Sequence, residues 1–358
     1  MKVCIIGNSL TSLTLAKALV NKEIFVDIFY KNKNINLDKT RTIGISKSNI
    51  NFFNNNISNI NKILWPIKRI KIFSENSGNN ELIGFEEQNT HLFSIMNNYK
   101  IYNQLNSELN KTKYYKAKKD IPFIKLINLD YDLIINCDPN HLITKKFFSK
   151  KFEKKYDSFA FTTIINHKKI RLNNTATQIF TKRGPIAFLP ISNDKTSIVY
   201  SMREKAGEKN LDIDRLINKF NPHFKIIKIN KISKFRLNSF NLRKYYESNI
   251  LAFGDLLHKL HPLAGQGFNM SVRDIKKLLD IIDKQIELGL ALDKSVCIEF
   301  QNKTRSENFI FSEGIDFIYE YFNSKNKFKN NLIDTSIKYI GRNKYINNYF
   351  KKIADIGL

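Results

Sequence analysis

Residues 254–269 read GDLLHKLHPLAGQGFN. They follow an apolar run, NILAF over 249–253, so a buried strand ends with the carboxylate of Asp255 at its carboxyl tip. His261-Pro262 comes next, then Gly265-Gln266-Gly267. A helical pattern through Asn269, Met270, Val272, Ile275, Leu278 and Leu279 completes the segment. Glycine turns feeding a helix leave unpaired backbone N–H groups, and the positive end of the helix dipole, beside whatever binds there. Such a site suits an anion or an electron-rich ring edge. A lone Gly-Asp pair marks only a turn, but sixteen residues in this order carry a specific signal.

The other end of the chain supplies a matching fragment. Residues 2–7 are apolar, a helical pattern runs through Leu13, Leu15, Ala16 and Leu19, and a second strand spans Ile24 to Tyr30. This is the opening β-α-β of a dinucleotide fold. Its turn reads Gly7-Asn8-Ser9-Leu10-Thr11-Ser12, keeping the first glycine of G-x-G-x-x-G and placing serine at the other two. Each serine adds a Cβ where room is scarcest. An ordinary strand-to-helix turn capped by Ser9 or Thr11 would produce the same string.

At 358 residues and 42% hydrophobic content, the chain can bury a large core and is expected to form two interleaved domains. No run of about 18 apolar residues is present, which argues against a transmembrane helix. The first residues enter a strand at once, leaving no room for a signal peptide. Cys4, Cys137 and Cys297 are far apart, odd in number and without metal spacing, so no metal site is expected and a reduced cytoplasmic protein is. The net charge of +26 raises nucleic acid or a membrane surface as partners. The lysines are scattered rather than striped and no nucleic-acid motif is present. The expectation is no nucleic acid, and a peripheral contact with anionic lipids at the inner membrane surface.

Between these ends the chain alternates. The Asn-rich stretch at 49–62 reads as helix, 67–97 as short strands, 101–109 as helix, and 132–137 as a strand returning to the first sheet. Strands rich in Phe, Ile and Thr fill 159–202, a helix follows near 211–220, and strands return at 225–237. Helical patterns cover 271–286, 295–322 and 331–356. The fold class expected is α/β, a Rossmann-like domain joined to a mixed, largely antiparallel sheet domain, with a helical C-terminal end. Residues 1–66, 98–155 and 246–290 are assigned to the first domain. Residues 67–97 and 156–245 are assigned to the second, and 291–358 to the C-terminal helices.

The 254–269 segment resembles the flavin-contacting motif of the single-component FAD aromatic hydroxylases. It is most similar to their ubiquinone-biosynthesis branch, where a G-D-A-A-H-x-x-H-P-x-A-G-Q-G-x-N string is characteristic. Residues 41–46 (RTIGIS) and 184–190 (GPIAFLP) match further family patterns, in family order, across nearly the whole chain. The resemblance implies FAD as cofactor, held by Gly7, Ser9, Ser12, Arg41, Asp138, Asp255, Pro262, Gly265, Gly267 and Asn269. Pro262, Gly265, Gln266 and Gly267 would lie at the reacting ring edge. An outside donor, NAD(P)H or an electron-transfer protein, would reduce the flavin, since no separate nicotinamide-binding domain is visible. Hydroxylation of a polyprenylated phenol in ubiquinone biosynthesis would proceed through a flavin hydroperoxide, within a possible quinone-biosynthesis complex. The substrate would need an apolar tunnel, and Tyr200 with the Phe188–Pro190 strand are its expected walls.

Three departures leave a second class open, a diverged flavoprotein fold kept as a structural partner, besides another flavin oxidoreductase. Two are the serines of the turn and Tyr30, which stands where the family has an acid that holds the adenosine ribose. Asp27, three residues earlier, faces the other way. The third is Asp138-Pro139 in place of Asp-Gly, where Asp138 either bonds the cofactor or caps a turn. His258 and His261 are expected to be structural or flavin-adjacent. For Arg41 the competing reading is a surface arginine.

Overall fold

Apolar runs and the polar breaks between them set the order of elements. The computed structural model describes residues 1–32, 37–75, 80–203, 212–261 and 265–325, together with Lys352 and Asp355. The chain opens with β1 (Lys2–Ile6), α1 (Leu10–Val20), β2 (Phe25–Tyr30), β3 (Thr42–Ser46) and α2 (Lys47–Asn56). Next come β4 (Trp65–Ile67), β5 (Arg69–Ser74), β6 (Ile83–Glu86), β7 (Phe93–Asn97) and α3 (Asn98–Leu109). They lead to β8 (Tyr115–Lys119), α4 (Phe123–Ile127), β9 (Leu133–Asn136) and α5 (Leu142–Phe147). Longer strands follow, β10 (Lys151–His167), β11 (Thr175–Thr181), β12 (Gly184–Pro190) and β13 (Lys195–Arg203). After α6 (Ile213–Phe220) come β14 (Ile226–Ile229), β15 (Ser233–Leu242), β16 (Tyr246–Glu247), β17 (Ile250–Ala252) and β18 (His258–Lys259). Two long helices close the described chain, α7 (Gln266–Glu287) and α8 (Lys294–Lys325).

The strands form three sheets. Six strands in the order β16-β17-β9-β1-β2-β8 make the first, parallel except for β16. Its central strand β1 buries Val3, Cys4, Ile5 and Ile6 together, as a parallel strand covered on both faces must. The α1 helix packs against α3 and α7 to supply one of those covers. The second sheet has nine strands, mostly antiparallel, running β18-β15-β10-β13-β12-β11-β5-β6 with β14 beside β10. A third is formed by β3, β7 and β4. The mostly parallel first sheet and the mostly antiparallel second give the α/β class that the sequence implies.

Some boundaries shift. The helix expected over 49–62 stops at Asn56, because the Asn54 side chain takes Ile60 N–H (2.9 Å) and binds Asn61 (2.9 Å) instead. Local side-chain bonding of this kind competes with the helix ladder. β10 already pairs with β15 at Lys151, so the second sheet begins five residues before the expected 156. β18 pairs with β15, so the 254–269 segment borders both domains. The helix expected over 331–356 falls almost wholly outside the described residues. Among the described residues no helix is long and apolar enough to cross a membrane.

Candidate functional site

In a parallel sheet, ligands gather at the carboxyl ends of the strands. Here neighbouring strands β17, β9, β1 and β2 end at or beside Asp255, Asp138, Gly7 and Tyr30. Gly7 has φ +97°, donates its N–H to Phe29 O (2.8 Å), and would bring a Cβ to 3.3 Å from Asp138 Cβ. Gly254 has φ +64°, and a Cβ there would lie 2.8 Å from Thr11 Cγ2. Only glycine suits either turn. The second of them lays the Asp255 turn on the first turn of α1.

That helix end is capped from within. Ser9 Oγ accepts from Ser12 N–H (3.2 Å) and lies 2.9 Å from Ser12 Oγ, while Ser12 itself is wholly buried. The capped strand-to-helix turn is therefore present, and Ser12, at the third glycine position, packs inward where a glycine would allow close approach. The first turn of α1 carries no acidic residue, so its positive end remains open to an anion.

At the tip of β2 the side chains bond one another. Tyr30 is half-buried, and Lys31 Nζ reaches Asn140 O (3.3 Å) and stands 3.9 Å from Asp138 Oδ2. Asp138 Oδ1 accepts from Asn140 N–H (2.8 Å), closing a turn of the kind aspartate favours. Asn8 Nδ2 donates to Asn32 O (3.0 Å). Asp27 is buried and takes Lys118 Nζ (2.7 Å) and Tyr131 OH (2.6 Å). Burial alone would raise its pKa, but these two hydrogen bonds outweigh it and hold the carboxyl below the ordinary range.

The other end of the site is built differently. Gly265 caps α7 with φ +65° and no side-chain bond, and the first turn of that 22-residue helix holds no acid. A Cβ on Gly265 would sit 3.5 Å from Gly44 N, whereas one on Gly267 meets nothing within 4 Å. Gln266 is buried. Asn269, also buried, staples the helix to its neighbours. Its Oδ1 accepts from Ser46 N–H (2.9 Å) and Asn49 Nδ2 (2.9 Å), and its Nδ2 donates to Gly44 O (3.0 Å). Its side chain is spent on β3 and α2 rather than turned to a ligand. Asp255 is exposed at the strand tip, and Pro262 lies outside the described residues.

The two histidines are internal. His258 Nε2 lies 2.6 Å from Asp274 Oδ2, whose other oxygen accepts from Asn308 Nδ2 (3.0 Å). His261 stacks on Tyr319 at 3.9 Å between centroids, and burial pushes its pKa down to about 3, so it stays neutral. Arg41 is exposed. Its charge and that of Asp255 both act on Lys259, whose Nζ donates to Asn238 Oδ1 (2.7 Å). Lys259 belongs to no motif in the sequence. Its one signal there is position, between a strand-end aspartate and the His-Pro pair.

The nine-stranded sheet has two unlike faces. Tyr200, Ile186, Ile198 and Phe188 lie on the face covered by α6 and are fully buried, so they do not wall a substrate pocket as expected. Strand alternation is the reason, since their neighbours face the other way. On that opposite face, the row Ile70, Ala176 and Leu189 packs under β4 and β7, and the row containing Phe180 and Ala160 packs under Tyr319 of α8. Between these rows runs a third, Ile72, Gln178, Ala187, Val199, Thr162 and Ser233. Ile72, Gln178, Ala187, Val199 and Ser233 stay half-buried in mid-sheet, which marks the floor of a groove. The two covered rows are four residues apart, roughly 13 Å along a strand. β3 joins groove to helix end: Thr42 Oγ1 meets Ser197 Oγ (2.8 Å) beside the floor, and Gly44 lies against Gly265.

Residues 128–287 match the family model described as an FAD binding domain. The span includes Asp138, Asp255, Gly265 to Gly267 and Asn269, and stops short of the N-terminal turn. The match shows similarity to an FAD binding domain over this part of the chain. Among curated proteins, the chain is 29% identical over 155 residues to 3-demethoxyubiquinol 3-hydroxylase of Escherichia coli (strain K12), covering 41% of this chain and 39% of that one. It is 22% identical over 257 residues to the mitochondrial ubiquinone biosynthesis monooxygenase COQ6 of Danio rerio, covering 59% and 53%. The chain thus spans about half or less of the length of these relatives. The resemblance to the ubiquinone branch holds at low identity. Two solved structures share the fold. One is p-nitrophenol 4-monooxygenase PnpA of Pseudomonas putida DLL-E4, with TM-score 0.78, 10% identity and 99% and 98% coverage. The other is Klebsiella pneumoniae HpxO complexed with FAD and uric acid, with TM-score 0.74, 13% identity and 99% and 96% coverage.

FAD is the cofactor of that domain, and the residues present fit it. Two acid-free helix ends, of α1 and α7, suit a pyrophosphate and an electron-rich ring edge. The space that Cβ atoms on Gly7 and Gly254 would fill keeps the strand ends close, and Gly267 leaves open room at the α7 end.

Proposed function

We propose that the chain is an FAD-dependent monooxygenase that hydroxylates the ring of a polyprenylated phenol in ubiquinone biosynthesis. The observation that carries this reading is the ring end. An exposed carboxylate, Asp255, stands at a strand tip in the same segment as the uncapped, acid-free N-terminus of a 22-residue helix. Asp255 would accept bonds from ribityl hydroxyls. The backbone of Gly265, Gln266 and Gly267 would face the pyrimidine edge, where negative charge gathers on reduction. Pro262 and Arg41 are assigned to the ring and the entrance by the family resemblance. Gly7, Ser9 and Ser12 would form the pyrophosphate turn, with Asp138 closing the loop beside it. Asn269 serves indirectly, by holding α7 against β3.

FAD supplies the oxygen-transfer chemistry when bound, and the chain orients the ring and excludes water. His258 and His261 move no proton in this scheme, being buried and engaged with Asp274 and Tyr319. Electrons come from NAD(P)H or an electron-transfer protein. The names of the relatives support the quinone-biosynthesis setting, in which a partner complex and a peripheral membrane contact would deliver the substrate. The bonded side chains at the β2 tip favour a second reading, a structural partner that no longer uses flavin.

The absorption spectrum of the purified protein with added FAD separates the two. Perturbed flavin bands should co-elute with the wild-type chain. Asp255→Ala should raise the FAD dissociation constant about 10- to 100-fold with an unchanged melting temperature, because a charge-assisted bond is lost at an exposed site. A colourless wild-type protein that ignores excess FAD would favour the structural partner. Flavin binding unaltered by Asp255→Ala would overturn the placement of the site.

A further inference from the structure

The groove floor carries its own chemistry, and no described residue of it is ionic. Of its six residues, Ile72, Ala187 and Val199 present only carbon, and Ala187 and Val199 join none of the packed clusters around them. Ser233 hydrogen-bonds Asp38, and Thr162 is buried. That leaves Gln178. It sits between Ile72 on β5 and Ala187 on β12, and its half-buried amide has no side-chain partner among the described residues. An amide in mid-sheet with apolar neighbours on both sides is costly to leave dry and unbonded. Water or a ligand must satisfy it. At the Ser233 end of the row, Asp38, held by Ser233 and Thr40, lies beside Arg41.

We propose that Gln178 reads the polar group of the substrate, and that the substrate is a neutral phenol whose apolar remainder lies along Ile72, Ala187 and Val199. This rests on the hydroxylase reading above and deepens it by naming the recognising residue. A glutamine amide both donates and accepts, which matches a phenolic hydroxyl. A substrate carboxylate would find no cation on this floor. Gln178 is a binding and positioning residue here, with no role in moving electrons.

The test uses the full chain loaded with FAD, titrated with 2-geranylphenol and with its methyl ether, 2-geranylanisole, while the flavin spectrum is followed. Gln178→Leu keeps size and removes the amide. The variant should hold FAD as wild type does and bind 2-geranylphenol about three- to tenfold more weakly, the size of one lost hydrogen bond. The ether offers no hydroxyl to donate, so wild type and Gln178→Leu should bind it within twofold of each other. Equal loss for phenol and ether, or no loss for either, would overturn the proposal. So would 4-hydroxybenzoate binding more tightly than 2-geranylphenol, because that anion needs a cation the floor lacks. Failure of the wild-type chain to take up FAD at all would instead overturn the hydroxylase reading.

Discussion

The two ends of the proposed cofactor site are built by opposite means. At the ring end, glycines and one buried asparagine hold a helix N-terminus open, and Asp255 stands free in solvent. At the adenosine end, a serine caps the helix, Lys31 reaches across to Asp138 and Asn140, and Tyr30 occupies the strand tip. The first end is prepared for a ligand by leaving backbone unpaired. The second satisfies its own polar groups, so a ligand there must compete with bonds already made. FAD affinity should therefore come mainly from the ring end, and three experiments press on that difference.

Asn269→Ala should have the largest effect. It removes an acceptor shared by Ser46 N–H and Asn49, and a donor to Gly44 O, at a buried position. A loss of about 3 kcal/mol in urea unfolding is expected, with flavin lost alongside. Full stability with flavin lost would instead make Asn269 a direct ligand and sharpen the ring end further.

Next in size is a pH effect at the same end. His261 is neutral in the fold, with its pKa pushed down to about 3 by burial, against an ordinary 6.5 in the unfolded chain. Between those values the unfolded chain binds the extra proton, so stability rises with pH. His261 contributes fully above about 6.5, and loses about 1.4 kcal/mol per pH unit as pH falls toward 3. His261→Phe should keep the stack on Tyr319 and flatten the stability profile between about pH 6.5 and 5 by that slope. Parallel profiles for wild type and variant would show that the imidazole already carries a proton in the fold.

The smallest expected change is a gain at the adenosine end. Tyr30→Glu restores a carboxylate where a dinucleotide ribose is ordinarily held. FAD should bind about three- to tenfold more tightly while FMN, which lacks that ribose, is unaffected. An unchanged FAD-to-FMN ratio would mean the β2 tip does not meet the ribose, and the contrast between the two ends would fail.

Much of the ring end is legible in the amino-acid sequence. The order strand, Gly-Asp, His-Pro, Gly-Gln-Gly, helix is local in sequence and local in space. Backbone turns and a helix dipole need no distant residue to be read. The opening β-α-β and the separation of Asp27 from the Tyr30 face follow from period and spacing in the same way. The role of Asn269 is not legible, because Ser46 and Asn49 lie more than 200 residues away along the chain. The groove is misread from sequence for a related reason. Aromatic residues draw attention to Tyr200 and Phe188, yet whether a strand face meets a helix or a cavity depends on what packs over it. The small side chains alternating with them, Ala187 and Val199, are the available signal.

The sequence by itself determined the fold class, the glycine turn that opens α7 and the serine-bearing turn that opens α1, since each follows from residues adjacent in the chain. Only the tertiary structure decided that Asn269 is a staple, that Lys31 meets Asp138, and that Gln178 lies in a half-buried row between two packed ones. Those three depend on which distant elements come together, and the free energy that selects them is summed over the whole core rather than written in any one segment.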